Sequence, residues 1–200
     1  MNNKQWDKFH HEIQMETAVD KDYKNFLSRF YHDDKEKRSV IDIGCGQGSA
    51  IAYTSYYYKD WIVHGIDFSW KALCKVNHRM LGRKNVKLKQ CSADNIDYPN
   101  EKFDMVSINV LLASIENPEG VIKEAYRILK PHGKVFLKEL SDSPCNIDNK
   151  YIRRGKEAKK YSEQYLYNLL NDNGFDKVKT YKSELKEQNV EHIVVIGRKK

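Results

Sequence analysis

The chain has 200 residues, enough for one domain with a sizeable core. No apolar run approaches the length that crosses a bilayer, and no charged-then-apolar leader opens the sequence, so a cytoplasmic protein away from the membrane is the expectation. A formal net charge of +7 suits anionic partners in general without singling out nucleic acid, and the four cysteines (Cys45, Cys74, Cys91, Cys145) lie too far apart to suggest a disulfide framework or a zinc centre.

Residues 1–30 precede any strand pattern and hold Trp6, Phe9, Ile13, Met15, Tyr23, Phe26, Leu27 and Phe30. So many large apolar side chains predict one or two amphipathic helices lying across the edge of a sheet. Ser39–Ile43 is the first β-branched run, and Gly44-Cys45-Gly46-Gln47-Gly48 follows it with three alternating glycines. Ser49–Tyr58 has helical spacing, and Trp61–Ile66 is a second strand. Ser69–Leu81 places Ala72, Leu73, Val76 and Met80 on one helical face, with Ser69 as N-cap. Val86–Cys91 and Phe103–Asn109 read as the third and fourth strands. Pro118–Leu129 is a helix with proline in its first turn, stopped by Lys130-Pro131-His132-Gly133 ahead of a fifth strand, Lys134–Leu137. This alternation predicts an α/β fold whose sheet is parallel with right-handed crossovers.

The end of the chain breaks the pattern. Ser162–Asn171 is a helix closed by Asn173-Gly174, and Lys177–Lys182 and His192–Gly197 are two strands with no helix between them. They should pair as an antiparallel hairpin.

The glycines need an explanation. In an open α/β sheet a ligand binds beyond the carboxyl ends of the strands, and glycines there expose bare backbone to it. A phosphate-gripping loop requires Lys-Ser/Thr after its last glycine, but Gly48 is followed by Ser49-Ala50. A dinucleotide loop requires a glycine where Ser49 stands.

The string Asp42–Gly48 (DIGCGQG) resembles the first motif of the class I S-adenosylmethionine-dependent methyltransferases. Three further stretches carry the resemblance in order: His64–Ser69 (HGIDFS), Ser92–Ile96 (SADNI) before Phe103-Asp104, and Glu124–Gly133 (EAYRILKPHG). It covers the chain from about Ser39 to the end. It implies a Rossmann-like, doubly wound sheet of seven strands, mostly parallel with a C-terminal antiparallel hairpin. It also implies a single domain over residues 1–200. Within it, residues 1–30 would be a helical lid and 38–140 the cofactor-binding core. Residues 141–160 would be a substrate-side insertion, and 161–200 the last helix and hairpin.

The implied cofactor is S-adenosyl-L-methionine, with its amino-acid arm and ribose against Gly44, Cys45, Gly46 and Gly48. Asp67, at the end of the second strand, can accept both ribose hydroxyls. Phe68 can lie on the adenine face. Asp94 can accept from the adenine amino group, with the backbone of Ala93 and Asn95 beside it. Asp42 sits beneath the loop, and Asn109 and Leu111 border the methionine end. Trp6 on the lid can shield the sulfonium by a cation–π contact. Cys45 reads as a small filler within the loop rather than a nucleophile.

Transfer from a sulfonium needs alignment and exclusion of water more than a dedicated base. Candidate bases are His11, Glu139, which is expected at the pocket mouth, and Tyr151. Tyr151, Arg153 and Arg154 form an aromatic-plus-cation group suited to an anionic acceptor. Leu111–Glu116 is a second candidate wall. No metal is expected. A small-molecule acceptor is the leading expectation. The alternatives are an RNA acceptor, motivated by Lys150–Lys160 (KYIRRGKEAKK), and a non-catalytic partner that binds the cofactor. The oligomeric state stays open.

Overall fold

A computed structural model describes residues 21–31, 36–143, 152–153, 156–157, 159–185 and 190–200. In chain order the elements are α1 (Lys21–Phe30), β1 (Ser39–Ile43), α2 (Ser49–Tyr57), β2 (Ile62–Asp67), α3 (Trp70–Arg79), β3 (Val86–Gln90), β4 (Phe103–Asn109), a single 3-10 turn (Leu112–Ser114), α4 (Pro118–Ile128), β5 (Leu129–Leu140), β6 (Ile152–Arg153), β7 (Lys156–Glu157), α5 (Glu163–Asp172), β8 (Phe175–Leu185) and β9 (Val190–Lys199). One seven-stranded sheet runs β3-β2-β1-β4-β5-β9-β8. The first five strands are parallel, and β9 enters antiparallel to both β5 and β8. The chain order reverses between β1 and β4, the position at which a ligand crevice opens in such sheets.

Strand alternation sorts the core into two faces. Val40, Met105, Phe136 and Val194 turn one way and pack with α1, α2 and α3. Ile41, Ile43, Val106, Ile108, Val135, Leu137, Ile193 and Val195 turn the other way and pack with α4 and α5. Ser69 accepts from the Ala72 amide, and Ser162 from that of Tyr165. The cap role of Ser162, read from sequence as the first helical residue, was not foreseen, nor was that of Asn117, which accepts from Gly120.

Two expectations need correction. The N-terminal helix does not lie across the sheet's edge. Tyr23, Phe26 and Leu27, spaced i, i+3, i+4, bury α1 on the face of the sheet over Phe136. A central position covers the large rings better than an edge would. Lys130–Gly133 does end α4, but the strand has already begun at Leu129. That residue pairs with Phe103, pairing resumes at Met105–Lys134, and the residues between bulge outward. His132 takes a left-handed φ of 64°, and the Lys130 ammonium meets Asp104 at 2.9 Å. The terminal hairpin forms as expected, with both strands longer than their apolar cores suggested. Among the described residues no helix is long and apolar enough to cross a membrane.

Candidate functional site

The three loop glycines have different reasons to be glycine. All three are left-handed, at φ 69° (Gly44), 52° (Gly46) and 78° (Gly48), which disfavours any residue with a Cβ. A Cβ on Gly44 would lie 2.5 Å from the Leu111 side chain, and one on Gly48 would lie 2.8 Å from Val76. Protein therefore fills the space at both ends of the loop. A Cβ on Gly46 would meet nothing closer than the Gly44 carbonyl at 4.0 Å. The middle glycine is the one that keeps open space bare.

Asp67 ties this loop to the end of β2. Its Oδ2 accepts from the Gly46 amide at 2.9 Å and its Oδ1 from the Ser69 amide at 2.8 Å. Each oxygen retains a lone pair for a further donor. Asp67 is 9% exposed and borders a cleft of about 410 Å3. Gly44, Ile66 and Leu111 line the cleft near the loop, while Phe68, Cys91, Ser92 and Ala93 line its other side. Ile115 and Glu116 line the rest. Phe68 is 68% exposed, a free aromatic face at the cleft.

Beneath the loop, Asp42 is buried and accepts from Ser107 Oγ at 2.6 Å and Asn109 Nδ2 at 3.3 Å. Burial pushes its carboxyl up to about 6, against those two hydrogen bonds and with some help from the Asp67 charge. Burial likewise drives the Cys45 thiol far up, reinforced by the Asp42 and Asp67 carboxylates, which disfavours its thiolate form. The loop after β3 is braced from behind. Glu124 accepts from the Ile96 amide at 2.7 Å, and Arg127, which pairs with Glu124, donates to the Ile96 carbonyl at 2.7 Å.

The structure therefore brings Gly44, Asp67, Phe68, Ala93 and Leu111 together on one cleft, with Gly46 and Gly48 in its loop and Asp42, Cys45 and Asn109 packed behind. Asp94 and Asn95 are exposed beside Ala93 and are not on the lining; Asp94 accepts from Ser92 Oγ. Glu139 is not at the mouth. It is wholly buried, and its carboxylate accepts from the backbone amides of Leu111, Leu112 and Ala113, because alternation along β5 turns it under the wall rather than out of it. Trp6, His11, Tyr151 and Arg154 lie outside the described residues, and Arg153 is described only as backbone in β6. Ile66, Cys91 and Ser92 were missed as lining residues. The rule that selects Asp67, a position at the carboxyl end of a strand, applies to Cys91 and Ser92 as well.

A glycine loop after the first strand, an acid after the second and a part-apolar cleft between them define a nucleoside-binding doubly wound fold. A family model described as "Methyltransferase domain" matches residues 11–180, and the chain belongs to that family, the class I S-adenosylmethionine-dependent methyltransferases. S-adenosylmethionine is the cofactor of this family. The chain is 35% identical over 111 residues to a demethylmenaquinone methyltransferase of Lactobacillus johnsonii, covering 54% of this chain and 45% of that protein. It is 26% identical over 165 residues to phosphoethanolamine N-methyltransferase 1 of Zea mays, covering 82% of this chain and 30% of that one. The chain thus spans less than half the length of these relatives. Among solved structures, the [4+2]-cyclase SpnF shares the fold at TM-score 0.75 and 16% identity, over 88% of this chain and 80% of that one. Phosphoethanolamine N-methyltransferase 2 of Haemonchus contortus, solved with phosphomonomethylethanolamine and S-adenosylhomocysteine, shares it at TM-score 0.73 and 17% identity, over 89% of this chain and 52% of that one.

Proposed function

We propose that this chain binds S-adenosylmethionine in the cleft and transfers its methyl group to a small molecule that enters past Leu111–Glu116. The observation that carries the reading is the cradle at Gly46. Its backbone is bare where a Cβ would fill the space, and Asp67, with acceptor capacity to spare, is hydrogen-bonded to its amide. Asp67 would hold the ribose, Phe68 and Ala93 the adenine, and Asp42 and Asn109 would face the amino-acid arm. The cofactor supplies an activated methyl on a sulfonium. The chain's own task is to orient the acceptor and keep water out. The relatives' names, which specify a quinone precursor and a phosphoethanolamine, favour a small acceptor over RNA.

The segments flanking the cleft fit a lid and an acceptor subsite. Asp22, in the first turn of α1, meets Lys138 near the carboxyl end of β5, and a lid formed by residues 1–20 is part of this proposal. Fully extended, the chain from Lys21 back to Trp6 spans at most about 50 Å and back to His11 about 35 Å, lengths compatible with the proposed lid. At the other side the Lys159 amide donates to the Ala113 carbonyl at 3.1 Å, and an acceptor subsite with Tyr151, Arg153 and Arg154 is part of this proposal. The free thiols of Cys45, Cys74 and Cys91 fit a reducing cytoplasm.

The test is thermal and calorimetric. Adenosylhomocysteine should raise the melting temperature by mass action while NAD leaves it unchanged, and equal stabilisation by NAD would sink the reading. Asp67→Ala should weaken adenosylhomocysteine by about 2–3 kcal/mol, as for hydrogen bonds to a charged group.

Asp42 adds a pH dependence. Its folded pKa is raised to about 6, so the stability linked to its protonated form is present below about pH 4 and lost as pH rises towards 6. Asp42→Asn should therefore melt higher than wild type at pH 7.5 and level with it at pH 4. A ligand ammonium beside Asp42 favours the ionised form, so wild-type affinity for adenosylhomocysteine should fall as pH drops below about 6. That slope should flatten in Asp42→Asn. An unchanged slope would place the ammonium elsewhere.

A further inference from the structure

The cleft wall after β4 is held in a conformation that its own sequence disfavours. Val110 is β-branched yet sits at φ 48°. Leu111 follows in the right-handed region, at φ −99° and ψ −46°. A left-handed residue followed by a right-handed one turns successive amides to one side, forming a concavity that gathers an anion. Here the anion comes from the neighbouring strand. Glu139 Oε1 accepts from Leu111 at 2.8 Å and from Leu112 at 2.6 Å, and Oε2 accepts from Ala113 at 3.2 Å.

The other side of the same peptides is held from a different element. The Tyr161 hydroxyl donates to the Leu112 carbonyl at 2.8 Å, and Lys159 donates from its amide to Ala113 and from its ammonium to the Ile115 carbonyl at 2.9 Å. Amides point to β5 and carbonyls to the chain entering α5. Between these grips the wall has one position. Leu111 lies on Gly44, and Ile115 and Glu116 face the cleft.

We propose that Glu139 is a positioning residue. Its buried carboxylate gathers the Leu111–Ala113 amides, imposes the left-handed turn at Val110, and so sets the wall against which cofactor and acceptor are aligned. This rests on the cofactor reading of the cleft. Glu139 does not touch the reacting atoms and carries no proton in the reaction. A glutamine at this position offers one acceptor oxygen and turns an amide NH2 towards donors, so the clamp opens without a change of volume.

The experiment compares wild type, Glu139→Gln and the double variant Val110→Gly/Glu139→Gln, with adenosylhomocysteine as the probe. Glu139→Gln should bind it about tenfold more weakly. The amide proton resonances of Leu111, Leu112 and Ala113 should move upfield together. The double variant should recover to within about threefold of wild type, because glycine takes the left-handed turn without the clamp. Arg198→Ala is the control for general destabilisation. It opens the ion pair to Asp176, 2.6 Å at the opposite end of the sheet, and should lower the melting temperature without shifting the affinity. Wild-type affinity in Glu139→Gln, or a double variant no better than the single, would overturn the proposal. If wild type itself fails to bind adenosylhomocysteine, the cofactor reading falls. The three amide shifts, and recovery of melting temperature in the double variant, then still decide the role of Glu139.

Discussion

Gly46→Val is expected to abolish adenosylhomocysteine binding in calorimetry while the protein still folds. Two effects act together. The backbone holds φ 52° there, where a β-branched residue is strained by about 1–3 kcal/mol. The new methyls would also enter the open space above the loop, where no protein atom lies closer than 4.0 Å to the Cβ. The first effect should cost some degrees of melting temperature. The second removes the ligand's place. Gly46→Asn separates them, since asparagine tolerates the left-handed region but still fills the cradle. Normal binding by Gly46→Val would move the ligand off this loop.

The largest effect on stability should come from Lys138→Met. Lys138 is 1% exposed, and its ammonium lies 2.7 Å from Asp22, which also accepts from Ser183. Removing the lysine takes the cation away from the mostly buried Asp22 carboxylate, whose side chain is 13% exposed, at about 3 kcal/mol, the low end for a buried pair. A chain of this size should then melt roughly 10 °C lower. The double variant Asp22→Asn/Lys138→Met should recover most of the loss, because a matched neutral pair avoids both desolvation costs. A double variant as unstable as the single would mean that Lys138 serves mainly by packing its stem.

Much of the fold was legible because strand and helix periods alternate cleanly from Ser39 onward and because the turn chemistry is strong. Phe103–Asn109 was read to the residue, and Ser69 caps its helix as read. Elements defined by partners rather than by local pattern were less legible. Leu129 pairs with Phe103 across a bulge that only the register reveals, and α1 chose the sheet's face because Phe136 offers it two aromatic contacts. In the site, the glycines and Asp67 announce themselves by spacing. Glu139 does not. A carboxylate near a strand's end reads equally as a pocket acid or a backbone anchor, and the left-handed Val110 that decides between them leaves no mark in the sequence. The division of labour among Gly44, Gly46 and Gly48 is likewise set by Leu111 and Val76, far off in the chain.

The order of the sheet leaves β3 and β8 as its outer strands, and that bears on the chain's basic balance. An outer strand offers unpaired amides and carbonyls on which a second copy can add. Lys87 and Lys89 stand on β3, and Lys177, Lys179 and Lys182 on β8, where a register shift between Asp176 and Lys179 breaks the edge further. Positive charge thus stands along both outer strands, with Lys89 paired to Asp97 and Lys182 to Glu191, where it would oppose edge-to-edge addition of a like-charged copy. Concentrated salt or lysine acetylation, either of which mutes that repulsion, should favour edge-to-edge association without touching the cleft, which light scattering at two salt concentrations would read.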